Sequence, residues 1–178
     1  MKDFRRIRRS LLVLPMSAWA IGPGRVARAD EGVRAGQVDV VMRAFVPGSF
    51  GEILASSAGA PSIVHLWGLT CAPCLVELPR WAAFVRRHPQ VNVSFVQTDP
   101  MPPDRVAAAV RRAGLGGARN WSAPAPLDES AHYRIDPDWA GELPRTVLIG
   151  ADGKRSGISG AVSFERVLAW LARQGVRD

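Results

Sequence analysis

Hydrophobic and polar positions alternate along this chain with two different periods, which predicts strands and helices in succession. Residues 62–67 form a nearly continuous apolar run, which is typical of a central strand buried on both faces. After a turn at residues 68–70, apolar residues recur three and four positions apart, which predicts an amphipathic helix that ends near residue 88. Alternation over residues 91–95 predicts a strand with one buried face. The predicted inner face of the helix carries Cys74, Leu75, Leu78, Ala82 and Val85.

Further strands are predicted at residues 38–45, 146–149 and 155–159. Further helices are predicted to begin near Ser49, at Pro102 or Pro103, and at Ser163.

Turn and cap residues mark the ends of several of these elements. The Asp-Gly pair at Asp152 lies between two predicted strands and favours a hairpin. Ser163 is suited to cap the last helix, and Ser49, with a glutamate three residues later, has the spacing of a capping box. Residues 116–142 follow neither period, and only a short helix near residues 128–133 is predicted there. The alternation of strands and helices predicts one α/β domain.

The N-terminal stretch has the composition of a targeting signal. Residues 1–9 are rich in arginine, residues 11–21 are mostly apolar, and a small-x-small pattern ends at Ala29. We therefore predict a signal peptide over residues 1–29, of Sec or twin-arginine type, and a mature domain over residues 30–178. The apolar stretch is shorter than the about 20 residues that span a bilayer, so an uncleaved membrane anchor is the less favoured alternative.

Most of the net positive charge of the chain lies in this N-terminal segment. The full chain carries 23 basic and 16 acidic residues, a formal charge of +7. Seven of the basic residues and one acidic residue lie in residues 1–29, so the predicted mature domain is close to neutral. That balance gives no reason to predict a nucleic-acid partner. Export predicts a periplasmic location, without a stable membrane span in the mature protein.

Both cysteines of the chain fall in one tetrapeptide, Cys71-Ala72-Pro73-Cys74, where the predicted turn meets the predicted helix. A sulfur at a helix N-terminus is close to free backbone N–H groups and to the positive end of the helix dipole, which favour its thiolate. A disulfide across two intervening residues closes almost no loop and would add little stability. The spacing therefore favours a redox dithiol over a structural disulfide.

Two prolines accompany the dithiol. Pro79 lies inside the predicted helix, five residues after Cys74, where it should kink the helix, and Pro144 precedes a late predicted strand. With these residues, the chain resembles the thioredoxin-fold proteins of the periplasmic TlpA/ResA type over residues 40–174. The resemblance implies an α/β thioredoxin fold, in which helices flank a mixed central sheet. Residues 116–142 would then form an insertion of loop and helix before the strand of the cis-proline.

The same resemblance implies roles for individual residues. Cys71 would be the nucleophilic thiol, Cys74 the resolving thiol, and Pro144 a cis-proline that faces the pair. Thr70 stands where this family very often has tryptophan. The residues expected to support the site or the bound substrate are Pro144, Leu143, Trp67 and Thr70.

His65 lies in the central strand, six residues before Cys71, at the position where thioredoxins carry a buried aspartate. We hypothesise that His65 takes or gives the proton when Cys74 resolves a mixed disulfide. The alternative is a neutral core histidine with one satisfied hydrogen bond. Trp139 has two competing interpretations, as the lining of a substrate groove or as packing within its loop. Glu77 is interpreted as a solvated helix charge, because carboxylates are seldom buried.

Together these features predict an exported thiol:disulfide oxidoreductase that needs no cofactor beyond its own Cys71–Cys74 disulfide. Ala72 and Pro73 bring no positive charge to the pair, so the thiolate gains only moderate stabilisation and reduction of client disulfides is the favoured direction. The resemblance implies protein clients such as the cysteines of apocytochrome c or of respiratory copper sites. It also implies an electron donor in the membrane.

Two other functions stay open. The thiolates could hold Cu(I), with or without His65, which would make the protein a copper-binding assembly factor. A thiol peroxidase is disfavoured, because its usual pattern places threonine three residues before the cysteine, whereas Thr70 is adjacent to Cys71. The three histidines, His65, His88 and His132, show no metal-ligand spacing.

Overall fold

A computed structural model describes residues 39–57 and 59–176 of this protein. The predicted signal peptide, residues 1–29, lies outside the described residues. Within the part described, no helix is both long and apolar enough to cross a membrane. The strands are β1 (Met42–Ala44), β2 (Ser62–Trp67), β3 (Asn92–Gln97), β4 (Arg119–Ser122), β5 (Arg145–Ile149) and β6 (Arg155–Ser159). The helices are α1 (Ser49–Ala55), α2 (Ala72–Arg87), α3 (Pro103–Arg112), α4 (Glu129–Ile135) and α5 (Phe164–Arg173).

The strands of the described chain form one six-stranded mixed sheet in the order β1-β4-β3-β2-β5-β6. The first four strands in this order, β1, β4, β3 and β2, are parallel to one another. β5 runs antiparallel to β2, and β6 runs antiparallel to β5. This pairing places His65 of β2 between Phe95 of β3 and Thr146 of β5. The predicted class, an α/β protein with a mixed sheet flanked by helices, is confirmed.

Hydrophobic residues cover both faces of this sheet. Ile63 and Trp67 of β2 belong to one core cluster, and Val64 and Leu66 belong to the other, because alternate residues of a strand point to opposite faces. Helices α2, α3 and α5 contribute to the first cluster, and α1 and α4 contribute to the second. The prediction of a half-buried β3 is therefore wrong: five of its six residues are buried.

Most predicted elements are confirmed close to their predicted ends. β2 and α2 flank the predicted turn, β5 and β6 form the predicted hairpin, and β1 is shorter than predicted. Ser163 caps α5, because its Oγ accepts a hydrogen bond from Arg166 N at 3.4 Å. The periodicity is wrong for one position of α2. Leu75 is 39% exposed, and Trp81 is fully buried on the inner face of the helix.

The capping-box interpretation of Ser49 is wrong. Helix α1 does begin at Ser49, but its N-cap is Gly48, which adopts the left-handed conformation that glycine tolerates (φ 99°). The Ser49 hydroxyl donates to Ala44 O at 3.3 Å and accepts from Val46 N at 3.1 Å. The side chain therefore joins the start of α1 to the end of β1.

Residues 116–142 contain a sheet strand that the sequence pattern does not predict. β4 lies between β1 and β3, with Asn120 and Trp121 buried. The Asn120 Nδ2 donates to two backbone carbonyls just before the strand, at 2.8 and 3.0 Å, whereas its buried Oδ1 has no hydrogen-bond partner among the described residues. The short helix predicted nearby is α4, and Asp128 caps it through a hydrogen bond of 2.7 Å.

Candidate active site

The two cysteines form a disulfide at the N-terminus of α2. Cys71 is the N-cap residue, and its Sγ accepts a hydrogen bond from Cys74 N at 3.2 Å. Cys71 is half-buried, whereas Cys74 has no exposed surface. Cys71 Sγ is therefore the sulfur that a second molecule can reach. In the reduced state, the Cys74 N–H and the helix dipole would favour its thiolate.

Pro144 directly precedes β5, at the same end of the strands as the dithiol. The Leu143–Pro144 peptide bond is cis. Continuing the antiparallel register of β2 and β5 sets Pro144 opposite Trp67 and Leu143 opposite Gly68. Gly68 suits this close approach, because a β-carbon there would lie 3.1 Å from Leu143 Cδ1. Leu143, Pro144 and the buried Trp67 thus border the turn that leads to Cys71.

A carboxylate outside the predicted site residues holds this turn. Asp99 Oδ1 accepts from Leu69 N at 2.8 Å, and Asp99 Oδ2 accepts from Thr70 N at 2.9 Å and from Thr70 Oγ1 at 3.0 Å. Burial alone would raise the pKa of Asp99, but these donors outweigh it and hold that pKa below its ordinary value. One sequence signal points to Asp99. It follows β3 by two residues, and the carboxyl ends of neighbouring parallel strands meet at one edge of a sheet.

His65 is completely buried in β2. Its Nδ1 lies 2.9 Å from Thr146 Oγ1 of β5, within hydrogen-bond distance. Among the described residues its Nε2 has no hydrogen-bond partner, and it lies 3.8 Å from Glu77 Oε2. Burial lowers the pKa of His65 to about 3, so the ring is neutral at physiological pH.

The interpretation of Glu77 as a solvated charge is wrong. The side chain is 2% exposed and lies on the inner face of α2. Its Oε1 accepts a hydrogen bond from Val162 N at 2.7 Å, while its Oε2 finds no donor in the part of the chain that the structure describes. Burial raises the pKa of Glu77, against the opposing effects of the Val162 N–H and the charge of Arg80. Glu77 lies one helical turn after Cys74, so the His65–Glu77 pair is a buried titratable pair beside the dithiol.

Trp139 packs inside its loop, which is the second of its two interpretations. The side chain is 5% exposed, its Nε1 donates to Glu142 O at 2.7 Å, and its ring lies 4.4 Å from the ring of His132. Within residues 39–57 and 59–176, no group of three or more His, Cys, Asp or Glu side chains is arranged to hold a metal ion.

No protein-family model and no curated protein matches this sequence. Several solved structures do match the fold. A secreted Mycobacterium tuberculosis disulfide oxidoreductase homologous to E. coli DsbE is 20% identical, with a TM-score of 0.52 over 67% of this chain and 85% of that one. The exposed lipoprotein thioredoxin Etrx1 of Streptococcus pneumoniae is 14% identical, with a TM-score of 0.55 over 67% and 89%. A secreted thiol-disulfide isomerase of Corynebacterium glutamicum is 19% identical, with a TM-score of 0.51 over 68% and 74%.

These structural neighbours are named as a disulfide oxidoreductase, a thioredoxin and a thiol-disulfide isomerase. At such identities, the likeness is one of fold. It agrees with the order and direction of the strands, with the dithiol at the N-terminus of α2, and with the proline at the facing end of β5. This chain has the thioredoxin fold.

Proposed function

We propose that this protein is an exported thiol:disulfide oxidoreductase that exchanges its Cys71–Cys74 disulfide with the thiols and disulfides of client proteins. One observation carries the proposal: the half-buried Cys71 is the N-cap residue of α2, and a backbone N–H is directed at its Sγ. A thiolate stabilised in this way attacks disulfide sulfurs. The structural likeness to proteins named as a disulfide oxidoreductase, a thioredoxin and a thiol-disulfide isomerase supports the same chemistry.

In the reductive direction, exchange proceeds in two steps. The Cys71 thiolate attacks one sulfur of a client disulfide, so a Cys71–client bond forms, the client S–S bond breaks, and the released client thiolate takes up a proton. Cys74 then loses its proton and attacks Cys71 Sγ, which forms the Cys71–Cys74 disulfide and releases the second client sulfur as a thiol. The client gains two electrons and two protons. An external dithiol has to reduce the protein again.

We propose the reductive direction because Ala72 and Pro73 add no positive charge that would stabilise the Cys71 thiolate. The resemblance to the TlpA/ResA group favours clients such as apocytochrome c cysteines or the copper-site cysteines of respiratory oxidases. It also favours a membrane electron donor. A signal peptide over residues 1–29 and a periplasmic location complete the proposal, and the neighbours named as secreted proteins support it.

The reduction potential of the Cys71–Cys74 pair, measured together with turnover, tests this function. The protein without residues 1–29 would be equilibrated with glutathione or dithiothreitol buffers, and assayed separately for catalysed reduction of a disulfide peptide. We expect turnover and a potential near or below about −230 mV. A potential near about −120 mV would reverse the direction to oxidation. The absence of catalysed exchange in either direction would overturn the proposal.

We further propose that the His65–Glu77 pair holds the proton that Cys74 gives up in the second step. Glu77 lies one turn from Cys74 on the inner face of α2, and its Oε2 lies 3.8 Å from His65 Nε2. Burial lowers the pKa of His65, so its ring is neutral, and it raises the pKa of Glu77, so the Glu77 carboxylate is a stronger base than an exposed one. A carboxylate whose pKa is raised by burial can accept the Cys74 proton and return it. The alternative keeps His65 as a neutral core residue held by Thr146.

His65→Asn is expected to slow the resolution of a mixed disulfide by about 100-fold and to change the pH profile of that step. Rapid-quench kinetics with a disulfide peptide, measured between pH 5 and 9, gives both quantities. Thr146→Val is the matched control, because it removes the partner of His65 Nδ1 and leaves Nε2 near Glu77. A resolution rate and pH profile that do not change in His65→Asn would leave His65 with a packing role only.

The stability of the same variant gives a second readout. The unfolded chain binds a proton on His65 near pH 6.5, whereas the folded chain binds it only near pH 3, so stability falls as the pH drops between these values. Asparagine does not titrate, so the free energy of unfolding of His65→Asn should fall less than that of the unchanged protein as the pH drops. The difference is at most about 1.4 kcal/mol per pH unit. Urea unfolding of both proteins at pH 7 and pH 5 measures the difference.

A further inference from the structure

The turn between β2 and α2 is held by a residue that lies just after a different strand, β3. Both carboxylate oxygens of Asp99 accept hydrogen bonds from this turn, whose donors are Leu69 N, Thr70 N and Thr70 Oγ1. Because Thr70 directly precedes Cys71, these bonds hold the backbone one residue before the N-cap sulfur. Gly68 adds to the close fit, since a β-carbon there would lie 3.2 Å from Asp99 Oδ1.

Asp99 is itself held from inside the sheet. Gln97, which has no exposed surface, donates through its Nε2 to Asp99 O and Asp99 Oδ1. Gln97 Oε1 accepts a hydrogen bond from Ser122 Oγ of β4 at 2.5 Å. A chain of hydrogen bonds therefore runs from β4 through β3 to the turn beside Cys71, and it orients the carboxylate toward that turn.

The carboxylate also brings a negative charge to Thr70, the residue that directly precedes Cys71. Its hydrogen-bond donors hold the pKa of Asp99 below the ordinary value, so the charge is present at neutral pH. In the reduced protein this charge opposes the thiolate, whereas the disulfide carries no charge for it to oppose. Ala72 and Pro73 supply no positive charge that would offset it.

We infer that Asp99 is a positioning residue for Cys71, and that its charge shifts the redox equilibrium of the Cys71–Cys74 pair toward the disulfide. The inference rests on the proposed function, because it explains how the pair becomes a better electron donor to its clients. The N-terminus of α2 stabilises the Cys71 thiolate enough for attack, and Asp99 limits that stabilisation.

Asp99→Asn, made in the full-length chain, tests the effect of the charge. The variant keeps the size of the side chain, removes its charge and leaves one acceptor oxygen in place of two. The equilibrium constant for reduction of the disulfide by dithiothreitol is expected to rise about fivefold, which corresponds to about 20 mV. Asp152→Asn is the matched control, because it makes the same charge change in the β5–β6 turn, where Asn-Gly is also a favoured pair. Its constant should equal that of the unchanged protein, and an equal shift in both variants would overturn the inference.

Asp99→Glu separates position from charge, because it keeps the charge and moves the carboxylate by one methylene. We expect its equilibrium constant to stay within about twofold of the unchanged protein, while the rate at which Cys71 attacks a disulfide peptide falls about tenfold. An unchanged rate would overturn the positioning role, and an unchanged constant in Asp99→Asn would overturn the charge effect. If Asp99→Asn does not fold, the effect of salt on the unchanged protein is measured instead. Added salt screens the Asp99 charge, so the equilibrium constant for reduction by dithiothreitol should rise, as expected for Asp99→Asn. A constant that is independent of salt would then overturn the charge effect.

Failure of the proposed function and failure of the inference about Asp99 would give different results. If the unchanged protein does not catalyse exchange with a disulfide peptide, the proposed function fails, whereas the dithiothreitol equilibrium still shows whether Asp99 acts on the cysteine pair. If catalysis is normal and both Asp99 variants match the Asp152→Asn control, the inference about Asp99 fails alone.

Discussion

Replacing Cys74 with serine is expected to turn this protein from a catalyst into a covalent trap for its clients. Cys71 keeps its place at the N-cap of α2, half-buried and able to attack, so the mixed disulfide still forms. The second step cannot follow, because a serine hydroxyl does not displace the client thiolate from Cys71 Sγ. Turnover should therefore fall by a factor of about 10³ or more, while a Cys71–client adduct accumulates.

Cys71→Ser is the matched control for this experiment. Cys74 has no exposed surface, so a client disulfide cannot reach its sulfur, and we expect loss of turnover without an adduct. Mass spectrometry of each variant after incubation with a disulfide peptide measures the adduct, and circular dichroism compares the folds. An adduct with Cys71→Ser and none with Cys74→Ser would exchange the roles assigned to the two cysteines.

The redox motif is predictable from the sequence because its position depends on local signals. The apolar run at residues 62–67 forms β2 without a change of bounds, since helices cover both sides of a central strand and every position is buried. A short turn follows, and Cys71 then lies at the N-cap of α2. Pro144 is predictable for the same reason, because a proline directly before a β-branched run marks the start of β5, the strand beside β2.

Asp99 and Glu77 depend on partners that are distant in the chain. Asp99 binds backbone groups 29 and 30 residues before it, and Glu77 accepts a hydrogen bond from Val162, 85 residues after it. The sequence shows that both residues carry a carboxyl group, but it does not show that a backbone N–H from another element faces that group. General burial frequencies favour a solvated Glu77, and the Val162 N–H reverses that expectation here.

β4 is unpredictable for another reason. It is four residues long and places Arg119 and Asn120 before Trp121, so it is too short and too polar to show a period of two. The strand forms because β1 and β3 offer parallel backbone partners on its two sides. Its place in the sheet is a property of the assembled fold, and the residue pattern of the segment does not encode it.

Arg145→Met is expected to destabilise the protein by about 3–5 kcal/mol, because it leaves a buried charge without its counter-charge. Arg145 directly follows Pro144 and is 6% exposed. Its Nη2 and Nε donate to Asp136 Oδ2 at 2.6 and 3.0 Å, and its Nη1 donates to Glu142 Oε1 at 3.0 Å. Methionine retains the apolar stem of the side chain but leaves the Asp136 carboxylate, which is 3% exposed, unpaired. Urea unfolding at neutral pH measures the loss.

Asp136→Asn in the Arg145→Met background is the control that separates an unpaired charge from lost packing. Removing both charges should recover about half of the loss or more, because most of the cost comes from the isolated carboxylate. The ion pair holds the segment that ends in Leu143 and Pro144, so client exchange should weaken in Arg145→Met and stay weakened in the double variant, which does not restore the pair. A loss below about 1 kcal/mol would be typical of an exposed ion pair and would contradict this interpretation. A double variant no more stable than Arg145→Met would place the cost in packing instead of charge.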